Sequence, residues 1–172
     1  MSFVRIPVIA SIFATLFIIQ EALLNRINFF IGGFSLYLAW FLVWTLFEDR
    51  SNALAVGFIA GLIADLSPTL DAPFGLWIFV FTVTAYLMST NVRTALDTEL
   101  SPVVLTGVAV IGSTITLIFY ALTGAILGVE IGSFSSIAKE LIGNALWCLV
   151  LSPLYVPVVH GLFKLSLTAR SR

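Results

Sequence analysis

Long apolar runs, broken by short polar clusters, set the pattern of this chain. The runs cover roughly 6–24, 30–47, 53–66, 74–89, 102–127 and 137–163. A hydrocarbon core about 30 Å thick takes about 20 helical residues to cross, so the pattern predicts about six membrane spans, the third of them short. Gln20, Glu21, Asn25 and Arg26 close the first run, and Glu48-Asp49-Arg50 closes the second. Ser67, Pro68 and Asp71 follow the third, and a polar linker over 90–101 with Arg93, Asp97 and Glu99 follows the fourth. Pro102 opens the fifth, where its missing N–H has no partner to lose. Pro153 and Pro157 interrupt the sixth and predict a kink. The runs are apolar on all faces rather than alternating over about ten residues, which selects helices over a barrel. The first run is too long for the core of a signal peptide, and no small-x-small cleavage site follows it. It therefore reads as a retained span. The predicted fold class is an all-α membrane protein, one integral membrane domain over 1–172, folded as a bundle of about six transmembrane helices.

Composition strengthens this picture. Hydrophobic residues make up 60% of the chain and charged residues 10%, against about 25% charged in soluble domains. Lipid must cover what polar groups cannot. A net charge of −1 offers no basic surface for nucleic acid. The short loops set the orientation. With a cytoplasmic N-terminus, the inside holds Arg5, Arg50, Arg93, Lys164, Arg170 and Arg172, and the outside holds Arg26 and Lys139. Both termini are then expected in the cytoplasm.

Few polar groups lie inside the runs. Asp65 is the most notable, because a carboxylate inside a span costs about 2.5–3.5 kcal/mol on insertion scales. Gly57, Gly61 and Asp65 are spaced by four and share one helix face, and glycines so spaced let another helix approach closely. Asp65 either ends a short span in the headgroup region, or contacts another helix or a partner, or acts as a hydrogen-bond hub. Gln20 and Glu21 end the first span, and Glu21 is either interfacial or a buried pairing group. Lys139 and Glu140 are expected to snorkel, while Asn144, one turn further in, is placed to hydrogen-bond across helices. Gly124 and Gly128 form a second, weaker glycine pair. The chain has one cysteine, Cys148, and one histidine, His160. It has no phosphate loop, no metal-ligand spacing and no nucleophile with a histidine partner. No catalytic residue, cofactor or metal is therefore expected.

The segment Gly57-Phe58-Ile59-Ala60-Gly61-Leu62-Ile63-Ala64-Asp65-Leu66, continued by Pro73-Phe74-Gly75-Leu76 and Tyr86-Leu87, resembles the signature region of the rod shape-determining MreD family. Gln20 with Leu24 is similar to that family's first helix. The specific match covers roughly residues 57–87; elsewhere the agreement is in size and hydropathy. One departure stands out: many members carry Pro-Asp-Leu at the start of the second helix, where this chain reads Gly33-Phe34-Ser35-Leu36. The resemblance implies a bundle similar to the S components of energy-coupling-factor transporters, in the bacterial inner membrane. It implies a non-enzymatic part of the elongation machinery that maintains rod shape and supports lateral peptidoglycan synthesis. The implied partners are an MreC-like single-span protein and, through it, MreB, RodA and a transpeptidase, and a homo-oligomer is compatible with all of this. Gly57, Gly61, Asp65 and Gly75 are expected in helix packing or partner contact, and Gln20, Glu21 and Asn144 in polar contacts. The competing expectation, from the S-component likeness, is a subunit that binds or transports a vitamin-like small molecule.

Overall fold

The computed structural model describes residues 5–27, 30–67, 72–93, 101–130 and 132–168. Pro68, Asp71, Asp97, Glu99, Arg170 and Arg172 lie outside them. Among the described residues there are six α-helices and no strand: α1 (Arg5–Ala22), α2 (Leu36–Phe47), α3 (Arg50–Asp65), α4 (Leu76–Leu87), α5 (Pro102–Ile126) and α6 (Phe134–Thr168). A 3-10 turn, Leu24–Arg26, extends α1, and a π-helical turn, Met88–Val92, extends α4. Three helical stretches, Arg5–Arg26, Pro102–Ile126 and Phe134–Leu167, are long and apolar enough to cross a membrane.

Successive helices run antiparallel, as their end-to-end contacts require. The end of α1 meets the start of α2 through Gln20 and Phe34, and the start of α1 meets the end of α6 through Arg5 and Ser166. α2 forms the core. Every residue over 37–46 is buried, as expected of a helix that is hydrophobic all round and enclosed by its neighbours. Its aromatic side chains engage others edge to face. Phe13 stands against Tyr37 at 5.7 Å, Phe81 against Phe41 at 4.4 Å and Phe163 against Trp44 at 5.4 Å, in the arrangement favoured by ring quadrupoles. The outward faces of α5 and α6 carry the exposed apolar residues, with Val103 80%, Ile126 83% and Leu154 68% exposed. That is a surface suited to lipid rather than water.

Three expectations need correction. The second run, 30–47, is helical only from Leu36; Gly32 takes a left-handed φ of +59° and Ser35 caps the helix, its Oγ accepting the Leu38 N–H at 3.3 Å. At about 1.5 Å per residue, α2 is shorter than a hydrocarbon core, and its apolar character comes from burial in protein. The linker expected from residue 90 begins later, because the π turn carries the helical path through Val92. The sixth run is not interrupted at its prolines: α6 is one helix of 35 residues containing Pro153 and Pro157. Pro153 cannot donate to the Leu149 carbonyl, and the Ser152 hydroxyl donates to it instead at 2.8 Å. Ser152→Ala is expected to destabilise the protein by about 1 kcal/mol, measured by thermal unfolding in detergent, with little change elsewhere.

At one end of the bundle lies a buried ion pair that the pattern of runs did not suggest. Arg5 and Glu48, read as loop charges, are 4% and 2% exposed. The Arg5 guanidinium donates through two nitrogens to the Glu48 carboxylate, at 2.9 and 2.5 Å, and reaches Ser166 at 3.4 Å. Trp44 Nε1 donates to the same carboxylate at 3.1 Å. The start of α1 and the ends of α2 and α6 are thereby fastened together. Arg50, Arg93 and Lys164 lie on the same side as Arg5, and Arg93 donates to the Glu48 carbonyl.

Candidate functional site

α3 and α4 pack against each other more extensively than any other helix pair. Glycine makes this contact. A Cβ on Gly61 would stand 2.5 Å from Ile78 Cα and 2.7 Å from the Trp77 carbonyl oxygen. On Gly57 it would stand 2.8 Å from both the Ala85 Cβ and the Phe81 carbonyl oxygen. No side chain fits in either place. The neighbour that the glycine stripe was expected to admit is the chain's own α4.

Asp65 completes the stripe and caps the same helix. Its Oδ2 accepts the N–H groups of Gly75 and Ile78, and its Oδ1 accepts that of Trp77, all at 3.0 Å. The first N–H groups of any α-helix have no partner within it. Here Gly75, at the N-cap position, has a left-handed φ of +101° and no side chain to supply one. The carboxylate from α3 takes over that task and also meets the positive end of the helix dipole. Only 7% exposed, Asp65 is a hydrogen-bond hub in a hairpin. Gly75 contributes its backbone shape, with open space around it.

The start of α2 is held by the other polar groups. Gln20 Nε2 donates to the Phe34 carbonyl at 2.9 Å and to Asn25 Oδ1 at 2.8 Å, while its Oε1 accepts the Tyr37 N–H at 3.4 Å. Glu21 accepts from Asn25 Nδ2 at 3.1 Å. Asn144 Oδ1 accepts the Ser35 N–H at 2.9 Å, and its Nδ2 donates across to Ser113 on α5, also at 2.9 Å. Asn144→Leu keeps the volume but strands the Ser35 N–H; a loss of about 1–3 kcal/mol in chemical unfolding is expected.

These groups line an open cavity of about 310 Å3 at the end of the bundle where α2, α4 and α6 begin. Its apolar wall is aromatic: Phe17, Phe34, Tyr37, Trp77 and Phe81. Glu21 and Glu140 stand at its polar side together with Gln20, Asn25 and Asn144. Trp77 is backed by Tyr120, stacked on it at 4.1 Å and 16°. Among the described residues, no three His, Cys, Asp or Glu side chains converge as a metal site would need.

No family model, curated protein or solved structure matches this chain.

The structure thus brings the expected residues together in two neighbouring groups. Gly57, Gly61, Asp65 and Gly75 build the α3–α4 hairpin, and Gln20, Glu21 and Asn144 line the cavity beside it. Gly124 and Gly128 do not act as a pair: Gly124 is buried beside Leu76 of α4 at ordinary contact distance, and Gly128, at φ +80°, ends α5. A second close approach escaped the sequence reading. The backbone at Ile31 and Gly32 lies against Gly143 of α6, where a Cβ would come within 2.6 Å of Gly32 Cα. Only a Gly-Gly pair and a lone helical glycine, far apart in sequence, hint at it.

Proposed function

We propose that this protein is an MreD-like, non-enzymatic component of the bacterial elongation machinery. It spans the inner membrane with about six helices, both termini in the cytoplasm, and acts through an MreC-like protein to organise MreB, RodA and a transpeptidase during lateral wall synthesis. One observation carries the reading. The residues that resemble the family's signature segment, Gly57, Gly61, Asp65 and Gly75, form a single built unit, with two glycines closing the hairpin and a carboxylate capping its second helix. A motif whose members serve one piece of geometry is more than a chance likeness of apolar sequence. The second helix departs from the family pattern. Ser35 stands where many members carry aspartate, and it caps α2 by accepting the Leu38 N–H, a task either residue performs. The distribution of basic residues agrees with the orientation: Arg5, Arg50, Arg93 and Lys164 lie at one end, Arg26 and Lys139 at the other.

The test is co-purification from host membranes in mild detergent. The tagged protein is expected to bring down an MreC-like single-span protein; a clean preparation lacking it, from cells that express it, would refute the scaffold reading. A second reading, a small-molecule binding subunit, is favoured by one specific feature, the cavity of about 310 Å3 between Glu21 and Trp77.

A further inference from the structure

The chemistry of the cavity is one-sided. Of the residues that line it, two are carboxylates, Glu21 on α1 and Glu140 on α6, and none is a lysine or arginine. Arg26 and Lys139 are neighbours in sequence of lining residues but do not line the cavity themselves. The amides in its wall have little left to offer. Gln20 uses both ends of its side chain on Phe34, Asn25 and Tyr37, and Asn144 uses both on Ser35 and Ser113. The charged groups in the wall are the two carboxylates, which accept hydrogen bonds and carry negative charge, beside the hydroxyls of Ser35 and Ser67. Aromatic side chains line the same cavity, and of these Phe17 and Trp77 are only partly buried.

Carboxylates and aromatic side chains lining one cavity are the complement of an organic cation. The ring quadrupoles attract a positive charge within about 6 Å of their faces. The carboxylates add charge-assisted hydrogen bonds to any N–H the cation carries. An anion would find repulsion there. A neutral apolar guest would gain nothing from the carboxylates. The size fits a small molecule, since binding pockets begin at about 300 Å3. The position fits too: the cavity lies at the end of the bundle where α2, α4 and α6 begin.

We propose that this cavity binds an ammonium group carried by a small organic molecule. The inference deepens the small-molecule reading and is compatible with a scaffold that senses such a ligand. The ammonium has two natural sources, a free amine and the headgroup of an aminophospholipid such as phosphatidylethanolamine.

The experiment is calorimetric titration of the full chain in dodecyl maltoside micelles, which contain no ammonium, with micelle-only blanks. The probes are phenethylamine, cationic at neutral pH, and 2-phenylethanol, its neutral near-isostere. The amine is expected to bind at least tenfold tighter than the alcohol. Glu21→Gln/Glu140→Gln together are expected to remove that preference, while thermal unfolding shows that the fold survives. Doping the micelles with phosphatidylethanolamine then separates the sources. Competition with the amine assigns the site to the lipid headgroup, and undiminished amine binding assigns it to a free amine; either supports the proposal. Equal binding of amine and alcohol overturns the cation proposal and leaves a neutral small-molecule pocket. Binding of neither overturns both.

Discussion

Replacing Arg5 with methionine lowers the unfolding free energy by about 3–5 kcal/mol, the range for removing one partner of a buried ion pair. Methionine fills much of the space, so lost packing is the smaller part. The cost comes from Glu48, 2% exposed, whose carboxylate would retain only the Trp44 N–H of the partners described above. Lysine is a poor substitute, because one ammonium cannot reproduce the two parallel N–H···O contacts that the guanidinium makes. The double variant Arg5→Met/Glu48→Leu removes both charges and is expected to recover most of the loss. A double-mutant cycle by chemical unfolding in detergent measures the coupling. If the single and double variants are equally destabilised, the pair is not the fastening between α1, α2 and α6 described here.

The second large effect is expected at the α3–α4 hairpin. Gly61→Ala adds one methyl where Ile78 Cα would be 2.5 Å away and the Trp77 carbonyl 2.7 Å away. Both neighbours are backbone and cannot rotate aside, so the helices must separate, at a cost of about 1–3 kcal/mol or more. Separation also draws Asp65 away from the start of α4. Asp65→Asn attacks the same joint chemically. Both carboxylate oxygens accept N–H groups, whereas an amide offers one oxygen and an NH2 that repels them. A loss of about 2–3 kcal/mol follows from the charge-assisted bonds given up. Gly107→Ala is the contrast. Gly107 lies within α5 with nothing within 4 Å of an added Cβ, so alanine is expected to stabilise the helix by about 0.5–1 kcal/mol. Thermal unfolding of the three variants side by side reads all of these, and a harmless Gly61→Ala would remove the close-packing account.

Much of this architecture is legible in hydrophobic periodicity. The helices α1, α5 and α6 are long apolar runs, and Pro102 marks the start of α5. The stripe of Gly57, Gly61 and Asp65 is visible because its members are four apart on one helix and lie in an otherwise apolar run. What that stripe meets is not visible, since the target is the N-terminus of α4 and depends on how two helices dock. The length of α2 is obscured for a related reason. Apolar sequence looks alike whether lipid or protein covers it, and α2 is covered by protein. The Arg5–Glu48 pair is hidden by distance along the chain and by position: charges beside a span normally mark its exit into water, and these two turn inward. Pro153 and Pro157 lie inside one continuous helix, where the Ser152 hydroxyl occupies one carbonyl that proline frees.

The proposed role in elongation is tested most directly by depleting the protein in its bacterial host while imaging cell outline and newly inserted wall. The account predicts that cells lose their rod shape and that lateral insertion becomes disordered, with rescue by the native chain and weaker rescue by Gly61→Ala. Rods of normal width with ordered insertion after full depletion would contradict it.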